Sequence, residues 1–349
     1  MTRTEELDPQ AQAKAAKLRY VNDGEPGIMR KRSGRGFVYT HADGSRVKDK
    51  ATLERIAKLV IPPAWTEVWI CESPNGHIQV TARDAKGRKQ YRYHERWREV
   101  RDQTKFDRMI AFGKALPKIR QRVREDLGLR GLPREKMLAA VVQLLGATFM
   151  RIGNPEYERD NDSYGLTTLH DEHVDISGSK LHFEFRGKSG KEHAVDLKDK
   201  RLARIVKRSQ ELPGEHLFQY TDENGNRHDV TSSEVNDYIR EISGADFTAK
   251  DFRTWGGTTL ALLQLAGFDP CENENEGKKN VVAMIKAVAE QLGNTTTVCR
   301  KYYVHPAVIE CYMQGNLGQY LTKRSINEDL NPEEAAVLKL LKETAKESA

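Results

Sequence analysis

The hydrophobic pattern changes period near residue 100, and that change sets the architecture. Between residues 36 and 93 apolar and polar residues alternate in short runs broken by turn signals. GFVYT runs into Asp43-Gly44. TEVWIC and HIQVTAR flank Ser73-Pro74-Asn75-Gly76, and Asp84-Ala85-Lys86-Gly87 leads to KQYRY. A period of two, punctuated by glycine turns, predicts antiparallel strands and hairpins. ATLERIAKL (51–59) reads as a short helix capped by Thr52, and residues 1–30 read as loose. After residue 100, Phe106, Met109, Ile110, Leu116, Ile119 and Val123 recur at helical spacing, and a second apolar helix is expected from Arg134 to Arg151. HFEFRGKSGKEHAVDL (182–197) breaks the helices with a hairpin whose tip carries Lys188. Thr231-Ser232-Ser233-Glu234 has capping-box spacing, 250–266 and 278–292 read as helices, and Asn331-Pro332 opens a last amphipathic one. The expected fold is α+β. A small, mainly antiparallel β domain covers 1–100, a larger mainly α domain 101–330, and a C-terminal helix or tail 331–349, with the boundary between the first two near 95–110.

Composition narrows the function classes. The chain is 38% hydrophobic and 31% charged, with a mean hydropathy of −0.70. No apolar run approaches membrane-spanning length, and MTRTEELDPQ lacks a signal-peptide core, so a cytoplasmic, nucleoid-associated location is expected. Cys71, Cys271, Cys299 and Cys311 form no CxxC, and histidines and cysteines show no metal-ligand spacing in sequence. Neither a zinc site nor any cofactor is expected. Net charge is +6, and residues 1–100 hold 20 Lys and Arg against 13 Asp and Glu, so the excess sits at that end. A polyanion partner accounts for such asymmetry, although a solvated surface is the commoner meaning of a charge run.

Several stretches put cations beside aromatic and amide groups. RDAKGRKQYRYHERWR (83–98) interleaves Arg88, Lys89, Gln90, Tyr91 and Tyr93, the residue types that hold phosphates and read base edges. On a strand Tyr91 and Tyr93 project to one side, with Arg92 opposite. Arg151 ends an apolar run, so it needs a partner or an anion. Lys250 and Arg253 open the helix containing WGGTTLALLQLAG. In NTTTVCRKYYVHPAVIE (294–310) the doublet Tyr302-Tyr303 follows two cations. Singly, each has an ordinary structural reading. Together, two arginines, a lysine, an amide and a tyrosine can transfer a phosphoryl group without a metal. A phenol of pKa near 10 attacks phosphorus only where guanidinium groups offset the developing charge.

In order and spacing these stretches resemble the poxvirus-like bacterial type IB DNA topoisomerases. The matching segments are QYRY (90–93), FMRIGN (149–154), FRGKSGK (185–191), KDFRTWG (250–256) and LGNTTTVCRKYYVHPAV (292–308). Lys188 lies 37 residues after Arg151, Arg253 lies 102 after it, and Tyr303 lies nine after Asn294. The similarity covers roughly residues 20–325. The resemblance implies that Tyr303 is the nucleophile, because it directly precedes an aliphatic residue, His305 and Pro306, and that Tyr302 is a neighbour. It implies phosphate clamps at Arg151 and Arg253, an amide donor at Asn294, a general acid at Lys188 and an assisting cation at Lys250. Gln90, Tyr91 and Tyr157 align with residues that contact DNA in the viral members. Ser189 departs from the acidic residue that follows the hairpin lysine there. The activity implied is relaxation of double-stranded DNA through a 3′-phosphotyrosyl link by a monomer that clamps the duplex, without ATP or metal. The alternative is a tyrosine recombinase or integrase, which carries a similar Arg–Lys–Arg–Tyr set. An inactive architectural DNA-binding protein is a third reading.

Overall fold

The computed structural model describes residues 9–34, 36–85, 87, 89–269, 271, 273–321 and 329–347. The chain divides into two compact units, residues 1–106 and 107–349. The first opens with helix α1 (Pro9–Ala15), followed by strands β1 (Ile28–Ser33) and β2 (Gly36–Thr40), helix α2 (Lys50–Lys58), and strands β3 (Thr66–Ile70), β4 (Ile78–Arg83) and β5 (Lys89–Tyr93). The sheet order is β2-β1-β3-β4-β5, with every pair antiparallel. Alternation thus predicted the right element types from residue 36 onward.

Residues 1–30, expected to be loose, instead contribute α1 and the first half of β1, a strand disguised by its charge. Only Ile28 of β1 is buried. Arg30 in β1 donates to the carbonyls of Ile61, Pro62 and Trp65 and lies 4.1 Å over the Phe37 ring, so a cation works here as packing. The cap of α2 is Asp49 rather than Thr52: its carboxylate accepts the Thr52 N–H at 2.7 Å. Aspartate is the stronger cap, and it stands three residues before Thr52. Ile28, Val47, Ile56, Val68, Ile70 and Val80 form the core between this helix and the sheet.

Helix α3 (Glu95–Leu127) carries the chain into the second unit, where α4 (Arg134–Thr148) and α5 (Pro155–Asn161) follow. The apolar run beyond Lys136 makes α4 a central helix, buried over nearly its whole length. It stops at Thr148, short of the expected Arg151, because Phe149 takes the left-handed conformation (φ 55°) and turns the chain. A three-stranded antiparallel sheet comes next, made of β6 (Val174–Ser177), β7 (Lys180–Arg186) and β8 (Glu192–Lys198). Residues 188–190 form the β7–β8 tip. The remaining elements are α6 (Lys200–Gln210), the ribbon β9 (Gln219–Thr221) and β10 (Arg227–Asp229), and helices α7 (Ser232–Ser243), α8 (Ala249–Ala266), α9 (Glu274–Gln291), α10 (Thr296–Tyr302), α11 (Pro306–Met313) and α12 (Pro332–Glu347). The capping box at Thr231 and Glu234 forms as its spacing predicts. Helix α12 is part of the helical core: Ala336, Val337, Leu340 and Leu341 are buried, and Glu334 accepts from Arg120 and from the Trp255 indole.

Candidate active site

Four residues from four separate segments meet in the second unit. Arg151 lies three residues past the end of α4, on the turn that Phe149 starts. Arg253 lies in the first turns of α8, Asn294 on the turn after α9, and Tyr303 at the C-terminal cap of α10. Gly293 makes the turn after α9 possible. Its φ of +60° closes the helix, and the His193 ring occupies the space where a Cβ would stand. Thr295 then caps α10, its hydroxyl accepting the Val298 N–H. The Tyr303 N–H donates to the Cys299 carbonyl at 2.9 Å, which holds the tyrosine backbone to the end of the helix.

Helix α8 holds the tyrosine from the other side. A Cβ at Gly257 would lie 2.8 Å from the Tyr303 carbonyl and 3.1 Å from its Cβ, and a Cβ at Gly256 would enter the Phe149 ring. The Thr258 hydroxyl donates to the Tyr303 carbonyl and accepts the His305 N–H, each at 3.1 Å. WGGT is therefore a saddle for the Phe149 turn and the tyrosine. Two glycines in an apolar helix were the available sign of such a close approach.

The electrostatics are those of an anion site. Arg253 is 5% exposed. Its two terminal nitrogens donate to the carbonyls of Phe149 and Leu292, leaving its buried Nε without a hydrogen-bond partner. The guanidinium carbon lies 5.3 Å from the Tyr303 ring centroid. Arg151 donates to Asn294 Oδ1 at 2.6 Å and to the Gly293 carbonyl at 3.3 Å. Because a guanidinium only donates, the amide oxygen is spent on Arg151, and the buried Asn294 Nδ2 keeps no partner. Burial, together with the charge of Arg253, lowers Arg151 to about 10, opposed by Tyr303. Burial also lowers Arg253, again opposed by Tyr303. Among the described residues no carboxylate pairs with either arginine. Two like charges, one buried and one half-buried, without a counter-ion are costly unless an anion joins them.

The doublet resolves by direction. Tyr303 faces Arg253, whereas Tyr302 is 36% exposed, with the Lys301 ammonium 5.3 Å from its ring centroid. Cys299, one turn earlier, is fully buried, and burial pushes its thiol up to about 11 despite Arg253.

The other candidate residues lie on other parts of the chain. Lys188 is exposed at the hairpin tip, its ammonium 5.9 Å from the Tyr157 ring centroid. Ser189 takes φ 66° there. Lys250 is exposed one turn before Arg253, on the same face of α8. In the first unit Tyr91 is 43% exposed and stacks on Tyr93, with centroids 5.9 Å apart, confirming their shared face; Arg92 lies by the Trp65 ring. Tyr93 itself packs against Ala13, Ala16, Leu18 and Trp97. Gln90 donates to Asp84 at 2.9 Å. Arg88 lies outside the described residues, as does the Lys89 side chain.

Two residues with no signal in the sequence join the hairpin to the site. Lys191 donates to the Asn294 carbonyl at 2.8 Å. His193 stacks on Phe185 with centroids 5.1 Å apart and fills the space beside Gly187 and Gly293. Burial, then Arg151, Arg253 and Lys191, depress His193 to about 4, so it is neutral at physiological pH.

An antiparallel β unit is thus followed by a helical unit in which a phenol stands beside one buried and one half-buried guanidinium and an amide, the groups of a site for an anion such as a phosphodiester. Comparison with known proteins makes this specific. Residues 94–328 match the family described as eukaryotic DNA topoisomerase I, catalytic core. Residues 36–84 match the bacterial DNA topoisomerase IB N-terminal domain. The chain is 36% identical over 293 residues to DNA topoisomerase 1B of Acanthamoeba polyphaga mimivirus, covering 82% of this chain and 87% of that protein. It is 23% identical over 294 residues to DNA topoisomerase 1B of Vaccinia virus strain Copenhagen, covering 81% and 89%. The chain belongs to the type IB DNA topoisomerase family.

Proposed function

We propose that this enzyme relaxes supercoiled double-stranded DNA by transient cleavage of one strand, with Tyr303 as the nucleophile. The observation that carries the assignment is the pair of guanidiniums, half-buried Arg151 and buried Arg253, set beside Tyr303 with no carboxylate partner among the described residues. A backbone phosphate is the anion that would complete them. Arg151, the Arg253 Nε and the Asn294 Nδ2 donate to its nonbridging oxygens. The Tyr303 oxygen gives up its proton to water and attacks phosphorus in line, forming a 3′-phosphotyrosyl ester as the bond to the 5′-oxygen breaks. Lys188 gives that oxygen its proton as the hairpin tip closes, with Lys250 assisting. The cut end turns about the intact strand. The 5′-hydroxyl then attacks the phosphotyrosine and returns its proton to Lys188; the bond from phosphorus to Tyr303 breaks, the phenolate regains a proton from water, and the diester is restored. Bond energy is kept in the ester, so ATP has no role, and side chains supply the charge that a metal ion supplies elsewhere.

The family matches favour this reading over the recombinase alternative. Tyr91, Gln90 and Tyr157 are proposed duplex contacts, with Tyr93 behind Tyr91 as its support and Arg88 and Lys89 on phosphates. The enzyme would act as a monomer on nucleoid DNA. Plasmid relaxation in EDTA without ATP tests the scheme. Wild type and Tyr302→Phe are expected to relax the plasmid, and Tyr303→Phe to lose activity and the covalent DNA adduct. Relaxation by Tyr303→Phe would overturn the assignment.

A further inference from the structure

About Glu158, a second constellation of side chains has no part in this reaction. Glu158 lies on α5, next to Tyr157. His170 and His216 face each other across an isolated antiparallel bridge, reinforced by the Leu217 N–H donating to the Leu169 carbonyl at 2.6 Å. The backbone therefore fixes both imidazoles relative to each other. His170 Nε2 is 2.7 Å from Glu158 Oε1, and His216 Nε2 is 3.1 and 3.2 Å from the two carboxylate oxygens. The three ligating atoms all lie within 4.8 Å of one another, and each residue is partly buried. On the far side of the His216 ring, Nδ1 is 2.9 Å from Asp229 Oδ2.

We propose that Glu158, His170 and His216 form a binding site for one divalent transition-metal ion of the zinc class. Two imidazoles and one carboxylate are the donor set of a three-ligand zinc site, with a fourth position left to water. Imidazole nitrogen selects zinc, cobalt, nickel or copper over magnesium and calcium, which take oxygen ligands. Asp229 supplies what such a site needs behind its ligand. By taking the Nδ1 proton it turns the Nε2 lone pair towards Glu158 and makes it more basic. Side chains already converging on one point need only small shifts to admit an ion at about 2.0–2.2 Å from each ligand atom. Residues 158, 170 and 216 lie too far apart in the chain for sequence spacing to reveal them, and the expectation of no metal site rested on such spacing alone.

The bound ion would join α5, the 169–173 turn and the 216–217 segment. None of its three ligands has a role in the phosphoryl transfer proposed for Tyr303, and either reading stands without the other. The test is titration of the full chain, stripped by chelator, with Co2+ and then Zn2+. One equivalent of Co2+ should bind with the intense visible absorption of a four-coordinate ion, and Zn2+ should displace it and raise the Tm. Glu158→Gln and His216→Ala, each checked for native circular dichroism, should lose that binding. Asp229→Asn, which keeps all three ligands, should weaken it 10- to 100-fold. A wild-type chain that takes up no stoichiometric ion overturns the proposal, as does binding unchanged in the folded variants.

Discussion

Single residues at this site are set by space and charge. Gly257 is the clearest case of space. A Cβ there would lie 2.8 Å from the Tyr303 carbonyl, closer than real Cβ contacts come, so the tyrosine backbone must give way. Gly257→Ala should therefore slow plasmid relaxation at least 10-fold and cost about 1–3 kcal/mol in stability, the usual range for an overfilled core. Cleavage rates on a suicide duplex and urea unfolding measure the two effects. A fully active Gly257→Ala enzyme would show that the close approach does not position the nucleophile. His193 is the case of charge. Packed under Gly187 and Gly293 and facing Arg151, Arg253 and Lys191, it is held neutral down to about 4 against an ordinary 6.5. The unfolded chain takes up its proton first as the pH drops. The stabilising effect is thus complete above pH 6.5 and is lost as the pH falls from 6.5 towards 4, by about 2–3 kcal/mol. Urea midpoints between pH 4 and 7 should show that slope. His193→Gln should flatten it, and an unchanged slope would place the proton elsewhere.

At the level of elements, the β7–β8 hairpin was visible in FRGKSGK, but its docking was not. A turn signal reports where a chain reverses and carries no information about the segment it lands on. Lys191 and His193 hold the base of this hairpin to the turn after α9, about 100 residues away. Lys191→Ala leaves the Asn294 carbonyl without its donor, a loss of about 1–2 kcal/mol. If the hairpin must be held there for Lys188 to act, cleavage should slow about 10-fold while DNA affinity stays within twofold. Single-turnover cleavage and filter binding separate the two, and equal loss in both would make Lys191 a simple DNA contact. The end of α4 teaches a related lesson. Apolar residues run past Thr148, so periodicity extends the helix to Arg151, whereas Phe149 leaves it in a left-handed conformation that a bulky residue adopts only under tertiary constraint. Its ring lies on Gly256, which belongs to another helix. Strand and helix types follow local patterning, and so does the choice of Arg151, Arg253, Asn294 and Tyr303 once their spacing is compared with a family. The short α1 and the charged β1 escaped because their cores are made with distant partners.

For the molecule as a whole, net charge and charge placement point in different directions. By count, the positive excess lies in residues 1–100, and the rest of the chain is near neutral. Helix α6 nevertheless exposes Lys200, Arg201, Arg204, Lys207 and Arg208 along one side, while Leu202, Ala203, Ile205 and Val206 are buried on the other. The nearby Lys136 is lowered, by burial first and then by Arg208, Arg201 and Arg204, so this positive field is felt by its neighbours. Salt dependence can tell whether the duplex lies on the first unit or on this helix. Each phosphate neutralised contributes about −0.9 to the slope of log K against log salt. Lys31, Arg32 and Arg46 are exposed in the first unit. Replacing all three with glutamine should make the slope shallower by about 1–3 in fluorescence anisotropy with a short duplex. The same change at Arg204, Lys207 and Arg208 should move it by less than 1, because excess charge that acidic neighbours do not offset is what holds a polyanion. A larger effect from the α6 triple would place the duplex on that helix. The +7 of the N-terminal hundred residues would then be a solvated surface, and the count of charges along the sequence a poor guide to where the phosphates lie.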